Sequence, residues 1–277
     1  VLLLLPPSEG KTAAPDGAAP VDLEALAHAD ALGGRRAEVL AALARVSARS
    51  DAADVLGVGT SLAAEVERNT HLASAPAAPA ARVYTGVLYA AARLAETADA
   101  ARADDGVRIF SGLWGAVAPG DRIPAYRLSM GVDLPGVGKL STAWRAPLGA
   151  ALDARAAGDV VVDCRSAAYV AAWRPRPRTG EWVTVRVVRD VGGRRTVVSH
   201  HAKHTRGVLA GHLLRRAGSP PTTARELLGA AAELTGQVIA TEAGTGLAYR
   251  LTEATLHAAA SRSAPATLEL VTAPTHR

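Results

Sequence analysis

The sequence is short of cysteine, lysine and large aromatic residues, and each shortage removes a class of answer. Cys164 is the only cysteine, which excludes an intramolecular disulfide and any multi-cysteine zinc or iron–sulfur site within one chain. A lone thiol after a run of valines reads as a small buried apolar residue. Aromatic residues make up 4% of the 277, so the core must be packed mainly with Ala, Val and Leu. The unbroken apolar runs, such as Val1–Leu5, fall far short of the roughly 20 residues that a spanning helix needs. No basic start, apolar centre and small-residue cleavage site follow one another, so the expectation is a cytoplasmic protein with no membrane partner.

Lysine is the most informative scarcity. Only Lys11, Lys139 and Lys203 accompany the arginines that supply the rest of the 31 basic residues. A drift toward arginine removes lysines wherever any positive charge would serve, because the two differ in hydration, geometry and capacity to lose a proton. The three survivors are therefore the first places to look for chemistry. Charge is also unevenly placed. Residues 165–190 carry +4 and residues 191–225 carry +7, against +5 for the whole chain, so the remainder is acidic at −6. A concentrated basic region favours an anionic partner.

Strand and helix signals alternate. Val1–Leu5, Val107–Phe110 and Val160–Cys164 read as short buried strands, and Trp182–Arg189 with Arg194–His200 reads as a hairpin about Gly192-Gly193. Helices are expected over Leu23–Ser50, interrupted at Gly33-Gly34, then over Leu140–Ala157 and Thr205–Ala217. Another is expected over Thr222–Thr235, with Thr222 or Thr223 as N-cap ahead of Glu226. Ala81–Tyr84 reads as extended. The pattern predicts an α/β, mixed α+β fold with a central mixed sheet flanked by helices, as one domain over residues 1–277 with a helical subregion over 20–75.

Three segments concentrate chemistry. Gly10-Lys11-Thr12 follows the first strand, but Leu5 stands where a phosphate-binding loop needs its first glycine. The surviving reading is a ligand loop at the C-terminal end of a buried strand, with Ser8 and Lys11 as contacts. Phe110-Ser-Gly-Leu-Trp-Gly115, continued to Tyr126-Arg127 and Met130-Gly131, holds the only Phe and the only Met. There Ser111, Tyr126 and Arg127 offer hydroxyl donors and a bidentate anion clamp. His200-His-Ala-Lys-His-Thr-Arg-Gly207 gathers His200, Lys203 and Arg206 after a strand and at the mouth of a helix, a setting suited to phosphate. No carboxylate lies in that segment and its cations oppose a divalent ion, so no metal and no cofactor are expected. Arg165, Arg174 and Arg176 extend the basic set.

In order along residues 1–215, Leu2–Thr12, Val83-Tyr-Thr-Gly-Val87, Ser111-Gly-Leu-Trp-Gly115, Tyr126-Arg-Leu-Ser-Met-Gly131, Val160–Tyr169 and Ala202-Lys203 to Arg206-Gly207 resemble the YaaA peroxide-stress proteins. The resemblance implies a mixed α/β fold with a basic cleft, binding of duplex DNA, and a role in limiting iron-driven oxidative damage. His200 and His201 stand where that family usually has aromatics, and Arg165, Ala167 and Ala168 where it has a small residue and acids. Iron sequestration by His200 and His204 is a third reading; the two leading ones stay open. In one, Lys203, Arg206, Arg127, Lys11 and the Arg174–Arg178 loop, with Arg174 and Arg176, neutralise the phosphates of double-stranded DNA. In the other, the chain is an enzyme on a small anionic metabolite, with Arg127 and Arg206 clamping the anion and Lys203 or Tyr126 moving a proton.

Overall fold

A computed structural model of the chain describes residues 1–97, 100–197, 199–241 and 246–275, with side chains at all of these except 199–201. Its centre is a nine-stranded mixed sheet made of β1 (Leu2–Leu5), β2 (Val107–Ser111), β3 (Gly115–Val117), β4 (Val160–Asp163), β5 (Glu181–Val191), β6 (Arg194–Val197), β7 (Val238–Thr241), β8 (Ala248–His257) and β9 (Ala266–Pro274). The spatial order is β7-β8-β9-β5-β4-β1-β2-β3, with β6 on β5. Strands β2, β1, β4, β5 and β9 are parallel neighbours, and the remaining pairs are antiparallel. β1 and β4 are buried at every position, as continuous apolar runs covered on both faces must be.

The helices that matter for the site are α1 (Ala29–Ser47), α2 (Val87–Ala92), α3 (Arg145–Ala156), α4 (Ser199–Arg215) and α5 (Ala224–Ala232). α1 runs straight through Gly33-Gly34 instead of breaking there. Each interior glycine costs about 1 kcal/mol of helix propensity, which the buried stripe of Leu32, Val39, Ala42, Leu43 and Val46 offsets. Two further expectations are corrected. Ala80–Val83 is a helical turn, not an extended piece, and α4 begins at Ser199, so the backbone at His200 is helical rather than strand. The hairpin turn is as expected, with both Gly192 and Gly193 at positive φ. Thr223 caps α5, its hydroxyl accepting from the Glu226 N–H at 3.2 Å.

α4 lies on α2, and Gly207 is why it fits. A Cβ at that position would collide with the Leu88 carbonyl, so this motif glycine serves helix packing. On the opposite side of the sheet order, the loop from β2 into β3 is buried from Ser111 to Gly115. Backbone polar groups there need partners, and three side chains supply them. Arg36 of α1, with no exposed surface, donates from Nε to the Trp114 carbonyl at 3.1 Å and from Nη2 to the Ala116 and Ala27 carbonyls at 2.8 Å each. Trp144 Nε1 donates to the Gly112 carbonyl at 2.8 Å. Ser111 Oγ accepts from the N–H groups of Leu113 and Trp114 at 3.1 and 2.9 Å.

Arg36→Leu takes the guanidinium donors away from the buried Trp114 and Ala116 carbonyls and from the Ala27 carbonyl, so it is expected to destabilise the protein by about 3 kcal/mol or more. Urea unfolding of the variant measures it, and an unchanged midpoint would mean that the loop does not depend on this guanidinium.

Candidate functional site

The C-terminal ends of β1 and β2 lead into two loops that meet a third, residues 126–131. The first, residues 6–12, is laid antiparallel on residues 83–85: the Thr12 N–H donates to the Val83 carbonyl at 2.9 Å, and Lys11 bridges Tyr84. The second is the buried Ser111–Gly115 loop. The third, residues 126–131, lies directly on it, because Gly112 has no Cβ to strike the Ser129 carbonyl carbon, which would stand 2.9 Å away. This contact puts Tyr126 and Arg127 beside the loop from β1.

Lys11 sits half-buried at the meeting point. Its Nζ donates to the Ser8 carbonyl at 3.0 Å and lies 4.4 Å from the Tyr126 ring centre and 5.8 Å from that of Tyr84. Burial, reinforced by the Arg127 guanidinium, lowers its ammonium from the ordinary lysine value to about 8, against the opposing pull of Glu65 and Glu9. Arg127 is held at both ends. Asn69, fully buried, accepts from the Arg127 N–H at 2.9 Å and donates to its carbonyl at 2.8 Å. The guanidinium donates to the Glu9 carbonyl at 3.2 Å and pairs with Glu65 at 3.5 Å. Ser8 turns its hydroxyl onto the Gly10 carbonyl within the same loop.

Behind Lys11, Ser111 Oγ and the Tyr126 hydroxyl are 2.6 Å apart, and the Tyr126 and Tyr84 hydroxyls 2.8 Å apart. Tyr89 stacks on Tyr84 and donates to the Pro6 carbonyl at 2.7 Å. Tyr169 reaches the Ser129 side chain and the Met130 backbone. Burial raises all four phenols above the ordinary tyrosine value, so they remain neutral donors through the physiological range. The chain has five tyrosines, and four of them are gathered here. A lysine able to lose a proton, an arginine clamp and neutral phenols make a donor set for an anion together with a base.

A sequence profile described as peroxide stress protein YaaA matches residues 1–230. A UPF0246 protein of Streptomyces coelicolor is 45% identical over 239 residues, 84% of this chain and 90% of that protein. A UPF0246 protein of Corynebacterium efficiens is 40% identical over 231 residues, covering 82% and 90%. The chain belongs to the YaaA peroxide-stress family. The blocks on which the resemblance rests are the three loops just described, together with β1, residues 83–87, β4 with the residues after it to Tyr169, and the start of α4.

Within this YaaA fold the expected site residues divide. Ser8, Lys11, Ser111, Tyr126 and Arg127 come together. Arg165 does not present a cation to solvent: its side chain and that of Asp163 are fully buried and paired at 2.7 Å, over the Phe110 ring. Arg206 donates from Nε and Nη2 to the Val185 carbonyl at 3.0 and 2.7 Å. That carbonyl lies where β4 has ended at the Asp163–Thr184 pair and β6 has not yet begun at Val188, so the guanidinium caps an open stretch of strand edge. Arg174 and Arg176, with Arg145, Asp153 and Trp173, line an open groove of about 770 Å³ beside α3. Lys203 is exposed on α4. The side chain of His200 lies outside the described residues. Cys164 is buried and its thiol is pushed up to about 12, which keeps it protonated. Among the described residues no three His, Cys, Asp or Glu gather in a way that could hold a metal ion, and no helix is long and apolar enough to cross a membrane.

Lys11 gives the site a signature in stability. Its ammonium is lowered to about 8 in the fold, against about 10.4 in an unfolded chain. From pH 8 to about 10.4 the unfolded chain therefore holds more protons, and stability rises with pH on this account. Lys11→Met is expected to be more stable than the wild type below pH 8, with a melting temperature higher by about 2–4 °C. That advantage should shrink as pH climbs through 8 and vanish near 10.4. A variant that melts lower at every pH would show that Lys11 is a structural residue.

Proposed function

We propose that this protein binds a small anionic compound at the Lys11 site and takes a proton from it, with Lys11 as base and Arg127 as clamp for the anionic group. One observation carries the reading: a half-buried lysine whose ammonium is lowered to about 8 stands against Arg127 and the rings of Tyr84 and Tyr126. An ammonium near 8 leaves about one lysine in ten neutral at pH 7, which suits a general base. Placement at the C-terminal ends of parallel strands supports it further. Tyr126 keeps the donor role expected of it, while Lys203 and Arg206 have no part in this mechanism.

The test is solvent exchange. Pyruvate and other small 2-oxo acids incubated with the protein in deuterium oxide are expected to gain deuterium beside the carbonyl, read by proton NMR. The rate should rise through pH 8 and fall at least tenfold in Lys11→Met. Exchange no faster than in buffer for every compound tried would contradict the reading.

Binding of double-stranded DNA, and through it a limit on iron-driven damage under peroxide stress, is the second reading. It is favoured by Arg174, Arg178, Arg194 and Lys203, which are exposed and form no ion pair among the described residues. If they meet phosphates, log affinity for a random-sequence duplex should fall against log salt by about 0.9 per contact. Arg174→Ala with Lys203→Ala should then flatten that slope by about two. A slope unchanged by the pair of substitutions would remove these residues from any such interface.

A further inference from the structure

The hydroxyls behind Lys11 do not balance. Ser111 Oγ has two lone pairs, and the N–H groups of Leu113 and Trp114 fill both. It can only donate, and Tyr126 at 2.6 Å receives its proton. Ser111 also neighbours Tyr84 but has no lone pair to offer it. The two phenols share one bond of 2.8 Å, which uses one of their two protons. If Tyr126 donates to Tyr84, the Tyr84 proton is left over; if Tyr84 donates to Tyr126, the Tyr126 proton is left over. Among the described residues neither phenol has another acceptor, and Lys11, as an ammonium, has none to give. Tyr84 and Tyr126 are 1% and 3% exposed. A buried donor without an acceptor costs about 1–3 kcal/mol, and such groups call for a reason.

We propose that the leftover phenolic O–H is a ligand donor, and that the Lys11 site takes a small carboxylate bearing a second oxygen on the adjacent carbon. The carboxylate sits on Arg127, and the adjacent carbonyl oxygen accepts from the phenol. Ser111 is a positioning residue: with both lone pairs filled, it closes itself as an acceptor and so turns a phenol outward. The inference rests on the proposed anion site and adds its substrate class. Charge that develops on a carbonyl oxygen when a neighbouring proton leaves is stabilised by such a donor.

The experiment is calorimetric titration of the full chain with pyruvate, oxalate and acetate, in the wild type, Tyr84→Phe, Tyr126→Phe, the double variant of the two, and Arg127→Ala. The wild type should bind pyruvate and oxalate about three- to tenfold more tightly than acetate, the contribution of one hydrogen bond. The double variant Tyr84→Phe/Tyr126→Phe should bring that ratio to about one, whereas each single Phe variant still leaves one phenolic O–H without an acceptor, and Arg127→Ala should weaken all three. If the ratio survives in the double Phe variant, the phenol is not a donor, although the Lys11–Arg127 site stands. If the wild type binds none of the three, both fail. Should a Phe variant not fold, the infrared carbonyl stretch of [2-13C]pyruvate on the wild type decides. A band below its position in water supports the phenol contact, and one at or above that position overturns it.

Discussion

A loop buried in the core must find hydrogen bonds for its backbone, and the Ser111–Gly115 loop shows how much follows from that requirement. Arg36 and Trp144 take its carbonyls, and Ser111 takes two of its N–H groups. Only with the loop held this way does Gly112 present a bare backbone on which residues 128–130 lie. That contact brings Tyr126 and Arg127 to the end of β1. Arg36 reaches this site through the Trp114 carbonyl, one residue from the Leu113 N–H that Ser111 accepts from, so the guanidinium steadies the loop on which the phenols rest.

The site is built against stability. Lys11 is placed where burial and Arg127 both disfavour its charge, and a phenolic proton is left without an acceptor beside it. A fold selected only for stability would fill this space with Leu or Met. The ion pair of Asp163 with Arg165 makes the contrast. It is fully buried, yet each guanidinium edge is satisfied, by the carboxylate, the Tyr169 carbonyl and the face of Phe110. Both arrangements put positive charge near the ends of parallel strands, but only the one at Lys11 keeps donors in reserve.

Local signals in the sequence were sufficient for β1, β2 and β4, the Gly192-Gly193 turn and the Thr223 cap, because short apolar runs and capping residues act within a few positions. Gly33-Gly34 misled because burial of α1 outweighs propensity, and the start of α4 was misplaced because valines before it suggested more strand. Lys11 and the Tyr126-Arg127 pair were legible from scarcity and from position after strands. Asn69 and Glu65 were not, since an Asn that clamps a backbone 58 residues away leaves no local pattern. Tyr84, Tyr89 and Tyr169 carry a compositional signal: with aromatics at 4%, four of five tyrosines in or beside the motif segments invite a common site. Counting charge could not separate Arg206, spent on a strand edge, from Arg127, which faces a lysine.

Everything proposed for the site requires Lys11 to be able to act as a base in the folded protein. With only three lysines in the chain, NMR titration of 13C-labelled lysine side chains gives three signals, and Lys11→Met identifies the relevant one. A midpoint near 8 for that signal is the result expected. A midpoint at the ordinary lysine value, near 10.4, would mean that the amine is solvated and fully charged at neutral pH, and the account of the site would fail.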